Sequence, residues 1–122
     1  MKRVDEQPDR EDRILFDIVV DAYGETERAM GWYYYLQDKM QLPFPATCRL
    51  ALATSPLKVG MKTEVVDLAT EDDCMSEIFV VVTFEKSELA VPLAQLECAA
   101  TDKDTLQAVT DWHYWVARGY EY

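Results

Sequence analysis

The sequence has few residues of the kinds that build zinc sites or nucleophilic active sites. It contains one histidine and three cysteines, Cys48, Cys74 and Cys98, with no C-x-x-C pair. One histidine with widely spaced cysteines does not complete a typical set of zinc ligands. The sequence also lacks a Walker loop, a dinucleotide-binding glycine motif, an H-E-x-x-H motif and a nucleophile elbow. We therefore expect no enzyme activity, and we interpret the cysteines as small core residues in a reducing compartment.

Long apolar segments are also missing. The N-terminal residues M-K-R-V-D-E-Q-P-D-R lack the apolar core of a signal peptide, and no hydrophobic run is long enough to cross a membrane. Residues 1–8 are polar, and we expect them to be disordered. The composition predicts a cytoplasmic protein without a membrane partner.

Positive charge is scarce. The 122 residues include 12 Lys and Arg against 23 Asp and Glu, which gives a formal net charge of −11. A chain this acidic is repelled by nucleic acid and by anionic membranes, and its basic residues form no local patch in the sequence. Hydrophobic residues make up 49% of the chain, enough for one compact core. We expect a single monomeric domain over residues 1–122, whose excess carboxylates either keep it soluble or bind cations.

The segment Glu25–Gln41 contains the clearest helix in the sequence, predicted over Glu25–Met40. At about 100° per residue its apolar residues fall on one side: Ala29, Trp32, Tyr33, Leu36 and Met40. The opposite face carries Glu27, Gly31, Tyr34, Asp38 and Gln41. Gly31 leaves room for another segment to approach between the two carboxylates. This face either points at solvent or belongs to a binding site.

A helix from Asp9 to Ala22 is expected to precede it, begun by Pro8 and interrupted at Gly24. The run I-V-V is also compatible with a strand, but helical spacing is favoured by a set of apolar residues: Ile14, Leu15, Ile18, Val19 and Ala22. Asp17 and Asp21 lie one turn apart on its flank and form a further pair of carboxylates.

A third helix is predicted from Thr101, capped by Asp102 or Asp104 and ended by Gly119. Its predicted buried face consists of Thr105, Leu106, Val109, Trp112, His113 and Val116. Two interpretations apply to His113. It is either a general base or metal ligand, or a hydrogen-bonded core residue, and we favour the second because no nucleophile is paired with it.

Short strands are predicted between these helices. Alternation indicates a strand at Met61–Val65, and Ile78–Phe84 is the strongest strand in the chain. A tight turn at Glu85–Glu88 leads to a return strand at Leu89–Leu93, and Thr47–Ala53 is partly β-like. We therefore predict an α+β fold in which N-terminal helices and a C-terminal helix pack on a small curled antiparallel sheet of the SH3-like barrel type.

The loop Thr70–Glu77 carries four acids in eight residues, and no EF-hand loop occurs in the sequence. Hard cations such as Ca²⁺ prefer oxygen ligands from carboxylates, carbonyls and water. Asp38 precedes a helix end, where the last carbonyl groups lack partners within the helix. We expect the acidic loop to close over Asp38, so that carboxylate and backbone oxygens become available together.

Several motifs together resemble the CcbP family of small acidic calcium-binding proteins. They are D-I-V-V-D-A-Y, E-R-A-M-G-W-Y-Y-Y-L-Q-D-K-M, F-P-A-T-C, S-P-L-K-V-G, E-D-D-C, V-P-L-A-Q-L and D-W-H-Y-W. The resemblance covers nearly the whole chain. It implies Ca²⁺ binding by acidic residues on an α+β scaffold without EF-hands, and a cytosolic role in calcium buffering or signalling. Asp38 lies in the stretch that matches the family best.

Two hypotheses of different kinds follow. In the first, the protein is a Ca²⁺ buffer or sensor with Asp38 as the first ligand. The loop would supply Glu71, Asp72 and Glu77, and a second, weaker site would use Glu27 or Asp21. In the second, the chain is an SH3-like protein-interaction module whose acidic surface only makes it soluble.

Overall fold

The computed structural model describes residues 7–19, 24–53, 55–75, 77–99 and 102–118. The helical elements in this part of the chain are α1 (Pro8–Arg13), a π-helical turn that continues it (Ile14–Ile18), α2 (Glu25–Lys39) and α3 (Lys103–Ala117). The strands are β1 (Phe44–Cys48), β2 (Lys62–Leu68), β3 (Phe79–Phe84), β4 (Ser87–Pro92) and β5 (Leu96–Cys98). Short 3₁₀ turns occur at Asp72–Cys74 and Leu93–Gln95. The predicted α+β class is confirmed.

The N-terminal helix is shorter and less regular than predicted. It begins at Pro8, and its last turn, Ile14–Ile18, is π-helical. Ile14, Ile18 and Val19 are buried as expected, but Leu15 is 52% exposed. The end of the predicted helix falls on residues 20–22, outside the described residues, as do residues 1–6 of the segment predicted to be disordered. Gln7 donates its backbone N–H to the hydroxyl of Tyr114.

Helix α2 agrees closely with the prediction. It starts after Gly24 and ends at Lys39, one residue before the predicted end. All five residues of the predicted apolar stripe are buried: Ala29, Trp32, Tyr33, Leu36 and Met40. The indole of Trp32 contacts those of Trp112 and Trp115, with ring centroids 5.1 and 5.6 Å apart. This aromatic seam joins α2 to α3.

The sheet is antiparallel throughout, with the strand order β4-β3-β2-β1-β5. Strands β4 and β5 form its two edges, so the sheet is open and the predicted SH3-like barrel is not confirmed. Strand β1 begins at Phe44, three residues before the predicted β-like stretch. It contains Pro45. Proline is tolerated there because the β5 pairing begins only at Ala46.

The predicted hairpin is present between β3 and β4. Glu85 and Lys86 form its turn with φ values of 46° and 68°, the backbone region that tight two-residue hairpin turns use. Pro92 lies at the end of β4, an edge strand of the sheet, where proline is tolerated.

Helix α3 is capped by Asp102, whose carboxylate accepts the backbone N–H of Thr105 at 2.8 Å. Its predicted buried face is partly wrong, because Leu106 and Val116 are 42% and 37% exposed. The buried residues are instead Thr105, Ala108, Val109, Asp111, Trp112, Tyr114 and Trp115. The helix is turned about its axis relative to the prediction because Asp111, a charged residue, faces inwards.

The single histidine, His113, packs inside the protein and contacts a backbone carbonyl group. His113 is largely buried, with Nε2 3.3 Å from the carbonyl oxygen of Leu93. Burial and the nearby Arg49 lower the pKa of His113 from 6.5 to about 4, so the imidazole is neutral at physiological pH. This supports its interpretation as a hydrogen-bonded core residue.

The cysteines are free thiols, and Cys48 and Cys74 are fully buried while Cys98 is half-buried. Their placement agrees with the core role predicted for them. Within the described residues, every helix is too short or too polar to be a transmembrane span.

Candidate metal site

A cleft of about 510 Å³ lies between the N-terminal helical segment and the outer face of α2. It is lined by Arg13, Asp17, Ile18, Gly31, Tyr34, Tyr35, Asp38, Lys39 and Gln107. Its acidic residues come from two elements that are separate in sequence, since Asp17 belongs to the π-helical turn and Asp38 to the last turn of α2. The cleft therefore brings two carboxylates to one concave surface.

Gly31 makes this arrangement possible. A Cβ atom placed on Gly31 would clash with the backbone carbonyl oxygen of Ile18. Only glycine lets α2 and the π-helical turn approach this closely, and Asp17 immediately precedes Ile18. The sequence-based prediction that another segment approaches α2 at Gly31 is confirmed.

Asp38 is open to solvent. Its side chain is 77% exposed, and its nearest charged partner is Lys39, with Nζ 3.7 Å from Oδ2. A pair as exposed as this one contributes little to stability. The carboxylate is therefore accessible to an ion that enters the cleft.

Tyr34 connects the cleft to the acidic loop. Its hydroxyl donates a 2.8 Å hydrogen bond to Oε1 of Glu71, and its side chain also lines the cleft beside Asp38. This hydrogen bond raises the pKa of Tyr34. The loop that contains Glu71 thus lies against the same face of α2 as Asp38.

The remaining predicted loop ligands are placed differently. Asp72 is exposed in the 3₁₀ turn, whereas Glu77 is half-buried, and burial raises the pKa of its carboxyl group. Neither residue lines the cleft. In this conformation, only Glu71 of the predicted loop ligands is tied to the cleft, through Tyr34.

Of the two residues predicted for a second site, only Glu27 belongs to the described part of the chain, and it lies far from Asp38 along α2. Glu27 is exposed in the first turn of α2, eleven residues before Asp38, and a rise of 1.5 Å per residue separates their backbones by about 16 Å. Asp21 lies outside the described residues. A second site at Glu27 or Asp21 stays a prediction.

The donor chemistry of the cleft fits a hard cation in part. Carboxylates are ligands that Ca²⁺ prefers, and the ion also takes backbone carbonyls and water. Over the described ranges, no group of three or more His, Cys, Asp or Glu residues is arranged to hold a metal ion. The carboxylates at the cleft would therefore supply only part of a calcium ligand set, and other oxygen donors would have to complete it.

Asp17 was noted in the sequence only as the partner of Asp21, one turn away, and not as a ligand. The fold shows that it lines the same cleft as Asp38. The sequence feature that points to this contact is Gly31, which lies between two acids on one face of α2. In the structure, the segment that carries Asp17 crosses α2 at this glycine.

One wall of the cleft is held by a buried carboxylate that sequence reasoning missed. Asp111 is completely buried and accepts hydrogen bonds from Nε and Nη2 of Arg13 at 3.0 and 2.6 Å. The hydroxyl of Tyr35 donates to it at 2.9 Å. The hydrogen bond to Asp111 raises the pKa of Arg13, while burial, reinforced by the Asp111 charge, raises that of Tyr35. Arg13 and Tyr35 both line the cleft.

Comparison with known proteins identifies the family. A family model named Calci_bind_CcbP and described as calcium binding matches residues 12–116. The crystal structure of Anabaena CcbP is 36% identical with a TM-score of 0.88, and the match covers 100% of both chains. A second solved structure, described as a calcium binding protein in the calcium-binding form, is 35% identical with a TM-score of 0.87 over 100% of both chains. No curated protein matches the chain.

These matches confirm the resemblance inferred from the sequence motifs, and they confirm Ca²⁺ as the ion associated with the family. The protein belongs to the CcbP family of calcium-binding proteins.

Proposed function

We propose that this protein binds Ca²⁺ at the cleft, without an EF-hand, and that Asp38 is the principal ligand. The observation that carries the proposal is the cleft itself, which Asp17 and Asp38 line together with Tyr34, the hydrogen-bond donor to Glu71. Family membership supports the choice of Ca²⁺ over other hard cations.

Calcium in the cleft supplies positive charge that relieves the repulsion between the carboxylates of Asp17 and Asp38. The 77% exposure of Asp38 leaves its oxygens free to turn towards the ion. Glu71 reaches the site when it leaves the hydroxyl of Tyr34, and Asp72 and Glu77 join if the loop closes further. Backbone carbonyls near the end of α2 and water complete the ligand set.

The test is calorimetric titration of chelator-stripped protein with Ca²⁺. We expect Asp38→Ala to weaken binding at least about tenfold, or about 1.4 kcal/mol, because it removes a charged ligand. Glu88→Gln is a matched control, since it removes one negative charge from an exposed position in β4 outside the cleft. An unchanged titration of Asp38→Ala would remove Asp38 from the site.

A cytosolic buffer or sensor that acts as a monomer is the role that we propose for this site. A sensor changes its conformation when the ion binds, whereas a buffer barely does. Comparison of amide hydrogen exchange with and without Ca²⁺ distinguishes the two roles, because a sensor changes exchange in α1 and α2 as well as at the ligands.

A further inference from the structure

The cleft contains a lysine beside its proposed principal ligand. Lys39 follows Asp38 in the last turn of α2, lines the same cleft, and places Nζ 3.7 Å from Oδ2 of Asp38. The side chain of Lys39 is 43% exposed, so its ammonium group can move into solvent without leaving a buried charge behind.

The other cation in the cleft wall is already paired. Arg13 donates two hydrogen bonds to the buried carboxylate of Asp111, which does not line the cleft. The charges that remain at the cleft are the carboxylates of Asp17 and Asp38 and the ammonium of Lys39. They leave one net negative charge, whereas the carboxylates alone would leave two.

We propose that Lys39 is a built-in counter-cation that competes with Ca²⁺ for Asp38 and thereby sets the affinity of the site. This inference rests on the proposed function. In the calcium-free protein the ammonium group stays next to the Asp38 carboxylate, and a bound ion must displace it. Replacing the ammonium group with a monovalent ion leaves the net charge of the site unchanged, whereas a divalent ion adds one positive charge. Lys39 therefore also favours Ca²⁺ over Na⁺ and K⁺.

The first test compares Ca²⁺ titrations of the wild type and Lys39→Met. This variant keeps the aliphatic stem and removes the charge, and we expect it to bind Ca²⁺ about threefold to fivefold more tightly, the range that exposed ion pairs support. Lys62→Met is the matched control, because it changes the net charge equally at an exposed position in β2 outside the cleft. Lys39→Arg keeps the charge and should retain an affinity close to the wild-type value.

Ionic strength and monovalent ions provide a second readout. The advantage of Lys39→Met should shrink between about 0.01 and 0.15 M salt, since the Debye length falls from about 30 to 8 Å. Potassium should compete with Ca²⁺ more strongly in Lys39→Met than in the wild type, because the monovalent ion then meets an unpaired carboxylate. If Lys39 had only a structural role, Lys39→Met would alter neither the salt dependence of Ca²⁺ affinity nor the competition by potassium.

Three results would overturn the inference. In the first, Lys39→Met and Lys62→Met bind Ca²⁺ equally well. In the second, Lys39→Arg behaves like Lys39→Met, which would show that the charge is not the cause. In the third, the wild-type protein itself gives no saturable calcium binding, and the proposed function then fails together with this inference. The first two results leave the proposed function standing.

Discussion

At the scale of single residues, the buried carboxylate of Asp111 is the charged group that connects the most helices. Its carboxylate has no exposed surface and is held by Arg13 from α1 and Tyr35 from α2, while Arg10 lies 3.5 Å away. A buried carboxylate is tolerated only when its partners satisfy it, because its desolvation is costly. The packing of three helices is therefore coupled to one side chain.

We expect Asp111→Asn to destabilise the protein by about 3 kcal/mol, because it leaves Arg13 without its buried counter-charge. Urea unfolding in calcium-free buffer measures the effect. Asp12→Asn, an exposed position on α1, serves as the control and should change the free energy of unfolding by less than about 0.5 kcal/mol. A loss below about 1 kcal/mol for Asp111→Asn would mean that the network is not coupled in this way.

His113 predicts a pH dependence of stability. Its pKa is about 4 in the folded protein, because of burial and the nearby Arg49, against 6.5 for a free histidine. Because the unfolded chain binds the proton more tightly, this contribution to stability is fully present above pH 6.5 and is lost as the pH falls towards 4. The loss amounts to about 2 kcal/mol between pH 7 and pH 5.

Urea unfolding of the wild type and His113→Gln at several pH values measures this contribution. The chain has no other histidine, so the difference in pH slope between the two proteins isolates His113 from the carboxylates that titrate in both. Parallel slopes over this range would contradict the assignment.

At the scale of elements, the π-helical turn explains why sequence analysis described α1 only in part. In an α-helix Val19 would lie about 140° around the axis from Ile14. Instead the N–H of Val19 donates to the carbonyl of Ile14 at 2.9 Å, and both side chains are buried with Ile18. The apolar spacing fits an α-helix equally well, so the wider turn could not be predicted. By contrast, α2 has a single apolar stripe and was predicted to within one residue.

The contact between the π-helical turn and α2 predicts the effect of Gly31→Ala. Alanine favours a helix by about 1 kcal/mol, but its Cβ would clash with the backbone of Ile18, which cannot yield as a side chain would. Overpacking of this kind costs about 1–3 kcal/mol, so we expect a net loss of stability. Calcium affinity should fall too, since the displaced turn carries Asp17.

Gly24→Ala is the matched control for this substitution. Nothing lies within 4 Å of a Cβ at Gly24, and its φ of −139° suits any residue. Its effect on the unfolding free energy should stay below about 1 kcal/mol, because alanine is a poorer helix N-cap than glycine but meets no neighbouring atom here. If Gly31→Ala proved as stable as Gly24→Ala, with calcium affinity intact, the close approach would not shape the site.

At the scale of the whole molecule, the sequence identified the acidic segments of the candidate site but not how the fold brings them together. The face of α2 that carries Asp38 was recognised from its spacing, and the loop that carries Glu71 from its charge. That Asp17 lines the same cleft as Asp38 depends on how the π-helical turn crosses α2, which the periodicity within one helix does not reveal. Asp111 was missed for a related reason, because a charged residue is assigned to the surface until its partners from other helices are known.

Thermal unfolding distinguishes the two functions that the sequence left open, calcium binding and an interaction module whose acidic surface only makes it soluble. The net charge of −11 decides which control is needed. An ion that binds only the folded state stabilises it by about 2.7 kcal/mol at one hundred times its dissociation constant. For a domain of this size that raises the midpoint of thermal unfolding by about 10 °C. General screening of acidic repulsion also stabilises the fold, so the reference sample must contain Na⁺ at matched ionic strength.

We expect Ca²⁺ to raise the thermal midpoint well beyond that reference, measured by calorimetry or circular dichroism, and Asp38→Ala to lose most of the difference. In an interaction module whose acids only solubilise it, Ca²⁺ and Na⁺ would act equally at matched ionic strength, and Asp38→Ala would melt like the wild type in both. The calcium-binding hypothesis and the interaction-module hypothesis therefore predict different thermal midpoints for the same samples. Within one variant, the Ca²⁺ and Na⁺ samples carry the same carboxylates. A difference between their thermal midpoints therefore reports binding of the ion and not the net charge of the protein.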